Sequence, residues 1–174
     1  MKNIEIKARC ADLNAMRRLL KRRGLKLMSQ MRQIDTYFAA PHGRLKLREV
    51  VGGEAELIQD DRPDALAAHP SDFMLALITE PEQVKEVLAR ALGVHAVVEK
   101  RRELYLWGYT RVHLDEVAGL GSFLELETLV LMRTAAVAEA ECRQVQAALG
   151  IREEELVAGS YADLLAREPA RDRQ

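Results

Sequence analysis

Several short stretches of this chain carry a charge at every second position. Glu5, Lys7 and Arg9 alternate with Ile4, Ile6 and Ala8, and Lys46 and Arg48 lie between Leu45, Leu47 and Val50. Glu56 stands between Ala55 and Leu57, and Lys100 and Arg102 share a parity further on. Arg111, His113 and Asp115 alternate with Val112 and Leu114, then Glu125 and Glu127 with Leu124 and Leu126. Residues two apart in a strand share a face, so each set shows its charges on one side. Cations arrayed in this way suit phosphate oxygens, which Arg takes in pairs. Clustered carboxylates suit Mg2+ or Mn2+, hard cations that prefer oxygen and bridge phosphates. Two arrangements fit the period. In one, a half-buried antiparallel sheet turns its charged face to water. In the other, both signs line a closed barrel, where they are tolerable only if ligand and metal complete the pairing. Periodicity alone leaves both open.

The elements that must position these residues read as follows. Residues 2 to 9 alternate as a strand. Asp12 caps a helix with Leu13, Met16, Leu19 and Leu20 on one face, ending at Gly24. Strands are expected at about 33–39, 44–51 and 54–60, the last two joined by a hairpin turn at Gly52 and Gly53. Asp61 to Pro70 reads as a loop, followed by a short strand at 72–78. Thr79-Glu80-Pro81-Glu82 has the form of a capping box opening a helix that ends at Gly93. Three more strands are expected near 95–107, 110–117 and 122–132, then a helix over 135–149 and a short one capped by Ser160. About eight mostly hairpin-linked strands in one α+β domain imply a barrel or strongly curled sheet. Residues 1–168 form that domain and 169–174 a polar tail.

Bulk properties narrow the classes of function. With 26 Lys+Arg against 27 Asp+Glu, the net charge of −1 argues against a general nucleic-acid binder. Cys10 and Cys142 are lone thiols without metal-ligand spacing, which points to a reducing, cytoplasmic setting. No apolar run approaches membrane-helix length, and Met1 leads straight into a strand pattern rather than a signal peptide. The Arg17-Arg18 and Lys21-Arg22-Arg23 run reads as a solvated helix face. Tyr37, Tyr105, Trp107 and Tyr109 read as packing residues rather than base-stacking ones. A phosphate-cradling glycine loop, a zinc-protease helix and a nucleophile elbow are all missing from the sequence.

Seven blocks in order, covering nearly the whole chain, resemble the CYTH or triphosphate-tunnel superfamily of class IV adenylate cyclases, thiamine triphosphatases and inorganic triphosphatases. They are Asn3-Ile4-Glu5-Ile6-Lys7, Gln33-Ile34-Asp35-Thr36-Tyr37-Phe38, Leu45-Lys46-Leu47-Arg48-Glu49 and Glu99-Lys100-Arg101-Arg102. Arg111 to Val117, Gly119 to Glu127, and Gly159-Ser160-Tyr161 with Leu164-Leu165 complete the set. The Arg111–Asp115 block and the glycine turn after it are most similar to the class IV cyclase branch.

The resemblance implies a closed barrel of eight antiparallel strands with flanking helices, a tunnel that binds a triphosphate with Mg2+ or Mn2+. Carried over by position, Lys7, Lys46, Arg48, Lys100 and Arg102 contact phosphate, with Arg111 and His113 binding it or supporting those that do. Glu5, Glu125 and Glu127 bind the metal, and Asp115 joins Lys7 and Arg48 in the chemistry by orienting a second metal or a ligand group. The implied partner is a small-molecule triphosphate, with no nucleic acid or membrane, and the chain a monomer or homodimer. Two positions depart from the pattern. Asn3 replaces the first acid of the signature, and Glu56-Leu57-Ile58-Gln59 lacks the lysine that relatives often carry there. Arg62 and His69 are the next basic groups, in a stretch that could close over the tunnel.

Overall fold

The structure is a computed structural model that describes residues 2–61 and 69–167, the side chains of 69–71 excepted. Arg62, the His69 side chain and the polar tail lie outside the described residues. The elements run β1 (Lys2–Arg9), α1 (Leu13–Arg22), β2 (Leu27–Phe38), β3 (Arg44–Val50), β4 (Ala55–Asp61) and β5 (His69–Ile78). After them come α2 (Pro81–Leu92), β6 (Val94–Trp107), β7 (Thr110–Val117), β8 (Gly121–Leu129), α3 (Ala135–Leu149) and α4 (Tyr161–Arg167). The strands close into a barrel in the order β1-β5-β4-β3-β2-β6-β7-β8, and every neighbouring pair is antiparallel.

Local sequence accounts for most boundaries. The Asp12 carboxylate accepts from the Ala15 N–H at 2.9 Å and caps α1 as expected. Gly52, at a φ of +75°, supplies the left-handed residue that turns β3 into β4. Four expectations need correction. Glu80, not Thr79, is the N-cap of α2 and makes no side-chain cap bond, so the capping box does not form and Pro81 in the first turn opens the helix. β2 begins at Leu27, well before residue 33, because β6 is 14 residues long and pairs with it as far as Leu27↔Tyr105. β5 starts at His69 rather than 72. Pro70 is tolerated because it is the second residue of the strand, beyond the last β4 pair, Asp61↔Asp72, where only β1 flanks it. β8 stops at Leu129, not 132, since Leu131 takes a φ of +42° that no strand can continue.

Two apolar clusters fix the barrel. Outside it, Ile4, Ile6, Val112, Leu114, Leu124 and Leu126 of β1, β7 and β8 pack under α1 and α3, meeting Leu13, Leu20, Cys142, Val145 and Leu149. At one end of its interior, Val98, Val117 and Phe123 pack on Tyr161, Ala162 and Leu164, so α4 plugs that end. Strands β1, β7 and β8 are thus buried on both faces, one against helices and one inside the barrel. The solvated-sheet arrangement is ruled out: Lys7, Lys100, Arg102, Asp115 and Glu125 are all less than 7% exposed. No helix among the described residues is long and apolar enough to cross a membrane.

Candidate functional site

Closure of the sheet brings the alternating charges into one cavity of about 590 Å³. Registers set who meets whom. Across β1 and β8, Glu5 faces Glu127 and Lys7 faces Glu125. Across β6 and β7, Arg102 faces Asp115, and across β2 and β3, Asp35 faces Arg48. Order along β8 from Phe123 through Glu125 and Glu127 to Leu129 leads from the α4 plug towards the opposite mouth.

The charges form linked clusters. Both carboxylate oxygens of Asp35 accept from Arg48, at 2.8 and 2.7 Å, and Lys100 Nζ donates to the same group at 2.7 Å. Asp115 accepts twice from Arg102, at 2.7 and 2.6 Å, and once from the Tyr161 hydroxyl at 2.7 Å. Arg102 also donates to Glu125, whose other oxygen lies 3.1 Å from Lys7 Nζ. The Lys7 ammonium sits 4.5 Å above the Tyr161 ring and that of Lys100 5.7 Å from it, so the plug helix lends an aromatic face to two cations. Glu127 is held more loosely, with His113 Nε2 at 3.4 Å, Arg111 at 3.7 Å and Arg102 at 4.0 Å. Lys46 lies 3.6 Å from Asp60.

These contacts decide protonation. Burial by itself would raise the Asp35 carboxyl, but the Arg48 and Lys100 charges hold it well below the usual carboxylate range. Glu125 is buried too and is held well below that range by Lys7 and Arg102. For Glu127, burial is again outweighed, here by His113 and Arg102. Lys100 moves the other way. Burial, aided by the like charges of Arg48 and Arg102 and only partly offset by Asp35, lowers it to about 8.

Of the residues expected at the site, Glu5, Lys7, Lys46, Arg48, Lys100, Arg102, Arg111, Glu125 and Glu127 all line the cavity. Asp115 and His113 do not. Asp115 stands behind Arg102 with its carboxylate engaged, and His113 stands behind Glu127. Arg9, of the same parity, leaves the cavity to lie over Phe123. Asp35, Asp60 and Tyr161 line the cavity without having been given a role from sequence, and Tyr37, read there as a packing residue, lines it as well. Asp35 had a signal, since it shares a face of β2 with Gln33 and Tyr37. Tyr161 had only the family likeness of its Gly159-Ser160-Tyr161 block, because it arrives from a helix far along the chain.

The donor chemistry fits a divalent metal. Glu5, Glu125 and Glu127 offer hard carboxylate oxygens, and Asn3 adds an amide oxygen that is buried without a hydrogen-bond partner on the same wall. The resting side chains are not gathered round one point: among the described residues no three His, Cys, Asp or Glu groups cluster at metal-binding spacing. Glu125 is occupied by Lys7 and Arg102, cations that a phosphate could draw away.

Comparison with known proteins agrees with this geometry. A Methanocaldococcus jannaschii protein named putative adenylate cyclase is 26% identical over 175 residues, covering 94% of this chain and 98% of its own. The solved structure of the PH1012 protein from Pyrococcus horikoshii superposes with a TM-score of 0.85 at 24% identity, covering 93% of this chain and 98% of its own. A Vibrio parahaemolyticus structure titled putative adenylate cyclase gives 0.80 at 19% identity, covering 94% and 97%, and shares the fold. The CYTH domain matches residues 1–161, nearly the full length, and the chain belongs to the CYTH domain family.

Proposed function

We propose that this protein is a divalent-metal-dependent tunnel enzyme of the cytoplasm that binds a triphosphate and turns it over, with conversion of ATP to cyclic AMP and pyrophosphate as its reaction. The observation that carries the reading is the meeting of Lys7, Lys46, Arg48, Lys100, Arg102 and Arg111 with Glu5, Glu125 and Glu127 in one cavity. The six cations would grip the phosphate chain and neutralise charge that develops on it, the main task of a protein in phosphoryl transfer. Asp35 would hold Arg48 and Lys100 in place, and Asp115 would hold Arg102. Tyr161 would support Lys7 from below while α4 keeps bulk water from that end. Lys100, lowered to about 8, is a cavity cation that can exchange a proton near neutrality. Glu5, Glu125, Glu127 and the Asn3 oxygen would hold the metal, which supplies Lewis-acid polarisation of phosphate oxygens. In the cyclase reaction the ribose 3′-hydroxyl attacks the α-phosphorus and pyrophosphate leaves. In a hydrolase of the same tunnel, water attacks the terminal phosphorus. The name of the Methanocaldococcus relative favours the cyclase.

A second reading, a triphosphate binder without turnover, is favoured by two features: the described acidic groups are not gathered as a metal cluster, and Asn3 brings no charge. The test is to incubate the protein with ATP, tripolyphosphate or thiamine triphosphate and Mg2+ or Mn2+, following phosphate, pyrophosphate and cyclic AMP together. Cyclic AMP with equimolar pyrophosphate supports the cyclase, and phosphate alone makes it a triphosphatase. Thermal stabilisation with no product leaves the binder. The absence of both product and stabilisation would sink the triphosphate reading.

A further inference from the structure

The barrel closes through a short seam. Only four residue pairs join β1 to β5, from Glu5↔His69 to Lys2↔Asp72. β5 runs on past that seam, and its ladder to β4 continues without a break to Ala55↔Ile78. Met74 to Ile78 therefore have β4 as their sole strand neighbour among the described residues, and their other edge is open. The Val130 N–H donates to the Lys2 carbonyl at 3.2 Å, so the chain leaving β8 turns off at the same level, at the β1 end of the mouth. The result is a notch in the cavity wall, with Leu75 on one side and Leu129 and Leu131 on the other.

The sequence along the notch is that of a covered strand. Phe73-Met74-Leu75-Ala76-Leu77-Ile78 is an unbroken apolar run, the pattern of a strand buried on both faces. Here Met74 is 74% exposed and Leu77 63%, and across the notch Leu131 is 65% exposed and Met132 fully so. An exposed apolar edge is a template for another strand, and proteins that stay single blunt it with lysine, proline or a bulge. Residues 73–78 hold no charge and no proline, and their register to β4 has no bulge.

We infer that this edge pairs antiparallel with β5 of a second copy of the chain, and that the partner strand completes the cavity wall where β1 stops. Two observations select a second copy over an unrelated strand. The run is neutral, so a two-fold axis near Leu75 and Ala76 sets apolar residues against apolar ones and opposes no like charges. Its ends are complementary. Exposed Lys2 stands at the foot of the notch and exposed Glu80 follows the far end of β5, so the two-fold carries each Lys2 towards the other copy's Glu80. β4 already occupies the other edge of β5, so the pairing is used up in a dimer and does not extend into a filament. In the dimer the notch is filled, which removes water from that side of the cavity.

Sedimentation equilibrium of the full chain over about 1–100 µM, the range in which an interface of micromolar Kd fills, is the test. The wild type should reach twice the chain mass of 19.6 kDa. Met74 alternates with the cavity-lining Phe73 and Leu75, so it faces away from the site and lies beside the axis. Met74→Lys and Met74→Glu each put two like charges within diagonal reach across the pair. Either variant alone should be monomeric, its dissociation constant raised at least about tenfold, with an unchanged circular dichroism spectrum. An equimolar mixture of the two should regain the dimer mass, because the facing charges are then opposite. A wild type that stays monomeric up to about 100 µM overturns the inference. So does a dimer that both variants leave intact, a mixture that stays monomeric, or a wild-type mass beyond two copies.

Discussion

Asp35 grips Arg48 with both carboxylate oxygens, and the same carboxylate takes Lys100 at 2.7 Å. One buried anion therefore holds two of the cations that face the cavity, and β2 locks β3 to β6 through it. In Asp35→Asn those two cations remain buried with their anion gone. Removing one partner of a buried ion pair costs about 3–5 kcal/mol, so the variant's melting temperature should fall well below that of the wild type. A bound triphosphate can supply the missing charge. Its stabilising shift, measured with tripolyphosphate and Ca2+, should therefore be larger in the variant than in the wild type. Turnover should drop, because Arg48 and Lys100 lose their fixed positions. Equal thermal shifts in the two proteins would mean that these cations do not meet the ligand.

Glu127 is bound differently. Its neighbours stand at 3.4 to 4.0 Å, and none makes the paired bonds that Asp115 and Asp35 make. Glu127→Gln keeps shape and polar partners, so the fold should survive with an unchanged circular dichroism spectrum. Loss of the charge should lower turnover by about 100-fold or more, the scale found when a key electrostatic group of a site is removed. Retention of activity within a few-fold would remove Glu127 from the metal set.

Protonation of Lys100 gives a prediction with opposite signs in two assays. Burial lowers its folded value to about 8, whereas an unfolded lysine titrates near about 10.4. Between those values the unfolded chain holds more protons, so Lys100 makes stability rise with pH across that window. Phosphate, by contrast, needs the ammonium form. Triphosphate affinity should weaken as pH climbs through 8, by up to about tenfold per unit, while the free protein does not lose stability on this residue's account. Lys100→Arg keeps the charge at every pH used and should flatten the affinity profile. Calorimetric titrations from pH 7 to 9.5 would decide it. A wild-type profile as flat as the variant's would place Lys100 away from the phosphates.

Why some of this was legible in sequence and some was not follows from how the barrel is built. The charges of β1, β7 and β8 alternate cleanly because their outer faces pack under helices while their inner faces line the barrel, so period two survives burial on both sides. On β6 it survives because Val97, Glu99 and Arg101 face solvent opposite Lys100 and Arg102. Ile4 and Ile6 against Glu5 and Lys7 show this directly. Asp35 lies in a stretch whose family likeness was visible, yet its role emerges only when the register sets it opposite Arg48. Tyr161 meets Asp115 across 46 residues, and no local pattern encodes such a contact. Asp115 itself shares the parity of Arg111 and His113, but depth inside the barrel separates them. Arg111 reaches the cavity, whereas Asp115 is fully buried behind Arg102. Parity gives the face of a strand, while depth depends on barrel tilt and on the α4 plug.

Asn3 is the last relationship that can be turned into an experiment. It shares the β1 face with Glu5 and Lys7, is 6% exposed, and its side-chain oxygen has no hydrogen-bond partner. An amide in this place offers a metal one neutral oxygen and leaves the carboxylates Glu5, Glu125 and Glu127 to carry the charge. Asn3→Glu adds a fourth anion to that wall. Without metal the extra carboxylate should lower the melting temperature, because it is buried beside like charge. With Mn2+ it should tighten the metal by about tenfold, or about 1.4 kcal/mol, and turnover at limiting Mn2+ should rise in step. Titration of Mn2+ against both proteins, followed by melting temperature as well as by product, separates the two effects. A variant that is destabilised and gains no affinity for Mn2+ would show that the metal, if it enters the tunnel, is held away from the β1 end of the mouth.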